Sequence, residues 1–82
     1  MQIGDIVCVT WDDAWFDLDE GTPETWLWRK RAKTYGVLTR INNVLLSVSC
    51  ESFEDGVFRG TTHIPRAMVV DVEVLISGTE SE

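Results

Sequence analysis

Period-two alternation of apolar and polar residues recurs along this chain, and it points to a sheet. From Ile3 to Trp11, residues Ile3, Val7, Val9 and Trp11 fall on one face, with Asp5 as the exception. Gly4, Ile6, Cys8 and Thr10 fall on the other. From Met68 to Ile76, residues Met68, Val70, Val72, Val74 and Ile76 share a face, with Asp71 and Glu73 opposite. Alternation among β-branched residues marks strands, because successive side chains of a pleated backbone point to opposite sides. Ile6 and Cys8 on the second face suggest that this face is partly covered too, by curvature of the sheet or by a copy of the chain.

Between these ends lies a hairpin. Thr34 to Ile41 and Val44 to Cys50 flank Asn42-Asn43, and asparagine tolerates the left-handed conformation that tight hairpin turns use. Tyr35, Val37 and Ile41 can face one side, and Val44, Leu46, Val48 and Cys50 form a continuous apolar stripe in the second strand. Glu54-Asp55-Gly56 signals another turn, and Thr61 to Ile64 is a short β-branched run ended by Pro65. Pro65-Arg66-Ala67 is expected to make a tight or 3₁₀ turn before the last strand. The expected fold class is therefore all-β, a small SH3-like five-stranded barrel with a long acidic first loop and a 3₁₀ turn before its last strand. Closure would remove the open edges that otherwise template aggregation.

At 82 residues the chain makes one domain, expected over residues 1–77 with a polar tail at 78–82. An apolar share of 44% with four tryptophans excludes a disordered chain. The formal charge of −7 opposes phosphate backbones and anionic membrane surfaces, so neither nucleic acid nor membrane is an expected direct partner. Cys8 and Cys50 sit in no paired motif and read as reduced thiols. The amino terminus lacks a secretion pattern, which predicts a cytoplasmic protein, in the host cytoplasm if the source is a virus.

The segment from Asp12 to Lys33 departs from this alternation. Asp12, Asp13, Asp17, Asp19, Glu20 and Glu24 occur through Glu24 without one basic residue, around the breakers Gly21-Thr22-Pro23. A short strand with Trp26 and Trp28 is expected next, leading into Arg29, Lys30, Arg31 and Lys33. A helix over Glu24 to Lys33 competes, because Ala32 and the long charged side chains favour helix.

The runs Val9-Thr10-Trp11-Asp12-Asp13-Ala14-Trp15, Thr34-Tyr35-Gly36-Val37-Leu38, Arg59-Gly60, His63-Ile64-Pro65-Arg66-Ala67 and Val72-Glu73-Val74-Leu75 resemble small β-barrel proteins of phage and prophage genomes. The resemblance covers roughly residues 7 to 75. It implies a phage context and supplies no activity or catalytic residue. The acidic insertion and the Trp26-x-Trp28 pair fall outside it.

No catalytic apparatus is expected. One histidine, His63, stands beside Thr61 and Thr62 and reads as structural or as a surface residue. No phosphate-cradling glycine loop occurs, and the loop acids lack the spacing of a calcium loop, so neither cofactor nor metal is expected. The strongest constellation is Trp11, Trp15, Phe16, Trp26 and Trp28 around the acidic loop, with Trp11 and Trp28 as core candidates. Two functions follow as expectations. One is a non-enzymatic binding or inhibitor module that engages a basic host protein, such as a nucleic-acid-binding or defence protein, through Asp12, Asp13, Trp15, Asp17, Asp19, Glu20 and Trp26. The other is an oligomer that sequesters an anionic nucleotide among Trp26, Trp28, Arg29 and Arg31. The plainer reading of the basic cluster is that it neutralises the nearby carboxylates within the monomer or pairs across a subunit contact.

Overall fold

A computed structural model describes residues 1–78 as a single antiparallel sheet of five strands. These are β1 (Ile6–Asp13), β2 (Lys30–Ile41), β3 (Leu45–Ser52), β4 (Phe58–Pro65) and β5 (Val69–Ile76), with one 3₁₀ turn at Arg66–Met68. The spatial order is β4-β3-β2-β1-β5, so the chain runs as a meander until its last strand returns beside the first. Closure into a barrel is not observed. Both β4 and β5 are edges, and among the described residues no ladder joins them. Of the expected 78–82 tail, residues 79–82 lie outside the described residues.

One face of the sheet carries the core: Val7 and Val9 from β1, Leu38 from β2, Leu46 and Val48 from β3, and Ile64 from β4. Trp11, Ile41, Val69 and Val72 pack against it half-buried. The stripe expected in β3 is buried only in its middle, since Val44 and Cys50 are exposed. The face expected for β5 changes along the strand. Trp11 pairs with Val69 while Thr10 pairs with Asp71, and this bulge at Val70 brings both Val69 and Val72 to the core while leaving Val70 exposed. Ile6 and Cys8 need no copy of the chain to cover them, because Cys8 is buried and Ile6 half-buried within the single chain.

The hairpin between β2 and β3 forms where expected but by another device. No residue other than glycine has a positive φ among those described, so neither asparagine is left-handed. Instead Asn42 Oδ1 accepts hydrogen bonds from the amides of Val44 and Leu45, both at 2.8 Å, and the Asn42 amide donates to the Leu45 carbonyl. The side chain thus completes the turn that the backbone alone would make with a strained conformer. The Arg66 amide donates to the Val44 carbonyl at 2.8 Å, which ties the 3₁₀ turn to this hairpin.

Gly36 marks the place where β2 acquires its second neighbour. Residues before it pair with β1 alone, whereas Val37 pairs with both Ile6 and Ser49. A Cβ at Gly36 would collide with the Ser49 carbonyl, so the approach of β3 requires its absence.

Asp5, the exception in the sequence pattern, is buried and clasps the two ends of the chain. Its Oδ1 accepts from the Gly78 amide and its Oδ2 from the Gln2 amide, each at 2.8 Å. Its own carbonyl accepts from the Leu38 amide. Gly78 is therefore held to the domain. The hydrogen bonds donated by the Gly78 and then the Gln2 backbone N–H hold the Asp5 carboxyl below the usual carboxylate range.

Two tests follow from this architecture. Leu46→Ala or Ile64→Ala should each cost about 2–5 kcal/mol in denaturant unfolding, because either opens a cavity in a core of few side chains. Asp5 binds a proton less readily folded than unfolded, so its stabilisation is present above about pH 4 and lost as pH falls through its lowered folded value. Asp5→Asn should lower Tm at pH 7 and flatten the decline of Tm below pH 4, while an unchanged acid limb would remove Asp5 from that role.

Candidate functional site

The site begins where β1 and β2 outrun the rest of the sheet. The β5 ladder stops at Trp11 and the β3 ladder stops at Val37, yet β1 and β2 continue pairing to Asp13 and Lys30. Apolar burial does not hold this extension. Backbone pairing continues there with opposite charges across the ladder, Asp12 opposite Arg31 and Asp13 opposite Lys30. Arg31 meets Asp12 with both ends of its fork, Nε to Oδ1 at 2.9 Å and Nη2 to Oδ2 at 3.3 Å. This bond from Arg31 lowers the Asp12 carboxyl below its ordinary range and raises the guanidinium in turn.

Two sequence expectations are corrected here. Asp12 and Asp13 belong to a strand, and the loop comprises residues 14–29. Thr25 to Arg29 is neither strand nor helix, while Lys30 to Lys33 opens the longest strand. Cross-strand charge pairing, which local propensity does not report, selects strand for the basic cluster.

The ribbon lifts the loop from the body and contributes to extents of 53 × 22 × 21 Å. Within the loop, the Thr25 amide donates to the Thr22 carbonyl at 2.9 Å, and Thr25 Oγ1 bonds both the Thr22 carbonyl and amide. The Trp26 indole lies against Gly21, where a Cβ would meet its Nε1. Folding back in this way, the loop encloses an open hollow of about 210 Å³. Asp17, Asp19 and Glu20 line one part, and Thr25, Trp26 and Leu27 another.

Charge in this hollow is uncompensated. Among the described residues the ion pairs are Arg31–Asp12 and Arg59–Glu51, so the basic cluster neutralises Asp12 and leaves Asp17, Asp19 and Glu20 without a cation. Apolar surface is equally prominent: Phe16 is 83% exposed, Leu18 87% and Trp28 80%. Trp28 is thus not a core residue. Trp11 is, in part, with its indole donating to Thr34 Oγ1 at 2.9 Å. Trp26 is about half exposed and Trp15 half-buried.

Of the residues expected to meet a basic partner, Asp17, Asp19, Glu20 and Trp26 come together around the hollow, whereas Asp12, Asp13 and Trp15 do not line it. Gly21, Thr25 and Leu27 were not singled out in the sequence; only Gly21 carried a signal, as a breaker inside the acidic run. Within the single chain the four residues expected around a nucleotide do not share the hollow. Arg31 is engaged by Asp12, Arg29 lies over the Trp28 ring at 4.3 Å from its centroid, and Trp26 alone of the four lines the hollow.

Elsewhere, His63 Nδ1 lies 2.7 Å from Ser47 Oγ. Ser47 is buried, so its hydroxyl is not presented to a substrate. Ser49 bonds Thr61 at 2.8 Å and Thr39 at 3.2 Å in the same row, which joins β2, β3 and β4 through cross-strand side chains. No three His, Cys, Asp or Glu side chains among the described residues gather as metal ligands, and no described helix is long and apolar enough to cross a membrane.

No family model matches the chain, and no curated protein or solved structure matches it either.

The staple between Trp26 and Gly21 gives a direct test. Gly21→Val should expel the indole, seen as increased acrylamide quenching of tryptophan emission, with Tm within a few degrees of the parent because the hollow lies apart from the core. Unchanged quenching would mean that the loop is not closed on Trp26.

Proposed function

We propose that this protein is a non-enzymatic binding module whose hairpin tip, residues 14–29, captures a basic protein. The observation that supports it best is the hollow at the tip, where Asp17, Asp19 and Glu20 make no ion pair among the described residues and stand beside the accessible Trp26 ring. Carboxylates with an aromatic wall suit the ammonium or guanidinium of a lysine or arginine side chain, by charge and by cation–π contact. Phe16, Leu18 and Trp28 around the tip offer the apolar anchors that dominate protein interfaces. An overall charge of −7 steers such a partner inward.

The scaffold is proposed to be SH3-like, supported by the order β4-β3-β2-β1-β5 and the 3₁₀ turn before β5. The phage resemblance supports a host target, a basic nucleic-acid-binding or defence protein that the acidic tip would occupy and block, in the host cytoplasm.

Capture from host lysate on the immobilised protein tests this at about 50 and 300 mM salt, across which screening of exposed charge grows strongly. The expected result is a basic protein retained at low salt, released toward high salt, and lost with Asp17→Lys/Asp19→Lys/Glu20→Lys or with Trp26→Ala at unchanged Tm. Retention indifferent to charge reversal would overturn it.

A further inference from the structure

The two edges of the sheet are not alike. Edge strands expose unpaired amides and carbonyls and are commonly blunted by proline, cations or bulges. β4 carries Arg59, Gly60, His63 and Pro65. β5 has the sequence Val-Val-Asp-Val-Glu-Val-Leu-Ile, without proline, glycine or any cation. Its bulges lie toward its ends, at Val70 and Leu75, leaving Asp71 to Val74 in regular register with β1. Val70, Val74, Leu75 and Ile76 are exposed along it.

Asp71 and Glu73 determine what can pair there. They face Thr10 and Cys8 on the same side of the sheet, are exposed, and take part in no ion pair among the described residues. A second copy of the chain is a poor occupant. Continuing the sheet by two-fold antiparallel pairing sets residues of the same face opposite one another. Each register centred on Asp71, Val72 or Glu73 therefore places Asp71 against Glu73, or one of them against its own copy. Like charges directly opposite destabilise a ladder, and two chains of charge −7 add to the repulsion. The same acids favour a strand with cations at those two positions. Apolar residues between them would meet Val72 and Val74 on the other face.

We infer that the β5 edge is a second docking surface, which accepts an extended segment of alternating basic and aliphatic residues as a sixth strand, while Asp71 and Glu73 bar self-pairing. Backbone bonds hold such a segment and the two carboxylates select its charge. The surface is separate from the hairpin tip and its function does not rest on the tip's.

A ten-residue peptide alternating lysine and valine, acetylated and amidated, is the probe, with a glutamate–valine peptide as control. Binding by fluorescence anisotropy is expected for the lysine peptide alone, with slowed amide exchange at Asp71 to Val74. Asp71→Lys/Glu73→Lys should weaken it by roughly tenfold and admit the glutamate peptide. Asp17→Lys/Asp19→Lys/Glu20→Lys should leave it unchanged, which separates this edge from the tip. Asp71→Val/Glu73→Val should dimerise in sedimentation velocity. Equal binding of a lysine–valine peptide N-methylated at every amide would overturn strand addition, since neither edge of its backbone can then donate to the ladder. Loss of binding on reversing the tip acids alone, or a monomeric Asp71→Val/Glu73→Val, would overturn the proposal as well.

Discussion

The pairing of β1 with β2 is the interaction on which the rest of this molecule depends. It runs without a register shift from Ile6–Val37 to Asp13–Lys30, and it changes character along the way. At the Val7 and Leu38 end it is sealed beneath the core. Past Trp11 it has no third strand beside it, and complementary charge takes over from burial. Exposed ion pairs are individually weak, so the Arg31–Asp12 fork adds little to global stability. Its contribution is to register, because sliding the strands by one residue so that Asp13 met Arg31 would leave Asp12 opposite Ala32 and turn one strand's apolar face outward.

Sequence periodicity read the body of the sheet well, since burial of one face imposes the alternation it detects. Val7, Val9, Leu46, Val48 and Ile64 all lie in the buried cluster. The 3₁₀ turn after Pro65 was legible for a local reason, the missing proline donor. Bulges defeat the same reasoning. Nothing in Val69-Val70-Asp71-Val72 shows that both Val69 and Val72 turn inward, because that depends on how β5 meets β1.

The acidic loop was legible as a departure from pattern, and four of its flagged residues do gather around one hollow. Assigning tryptophans by residue type went astray at Trp28, since aromatic character does not distinguish a core anchor from an exposed one. Three-dimensional adjacency decides: Trp11 lies on a strand flanked by two others, whereas Trp28 stands in the loop with Arg29 over its face.

The separation of the tip from the core has a consequence for how such a protein can change. Val7, Leu38, Leu46 and Ile64 set whether the chain folds, and none of them lies within residues 14–29. Substitution, lengthening or replacement of that segment meets little structural penalty as long as the rungs at Asp12–Arg31 and Asp13–Lys30 still bring its ends together. A lineage could therefore rewrite this tip repeatedly, on a scaffold that hardly registers the edits.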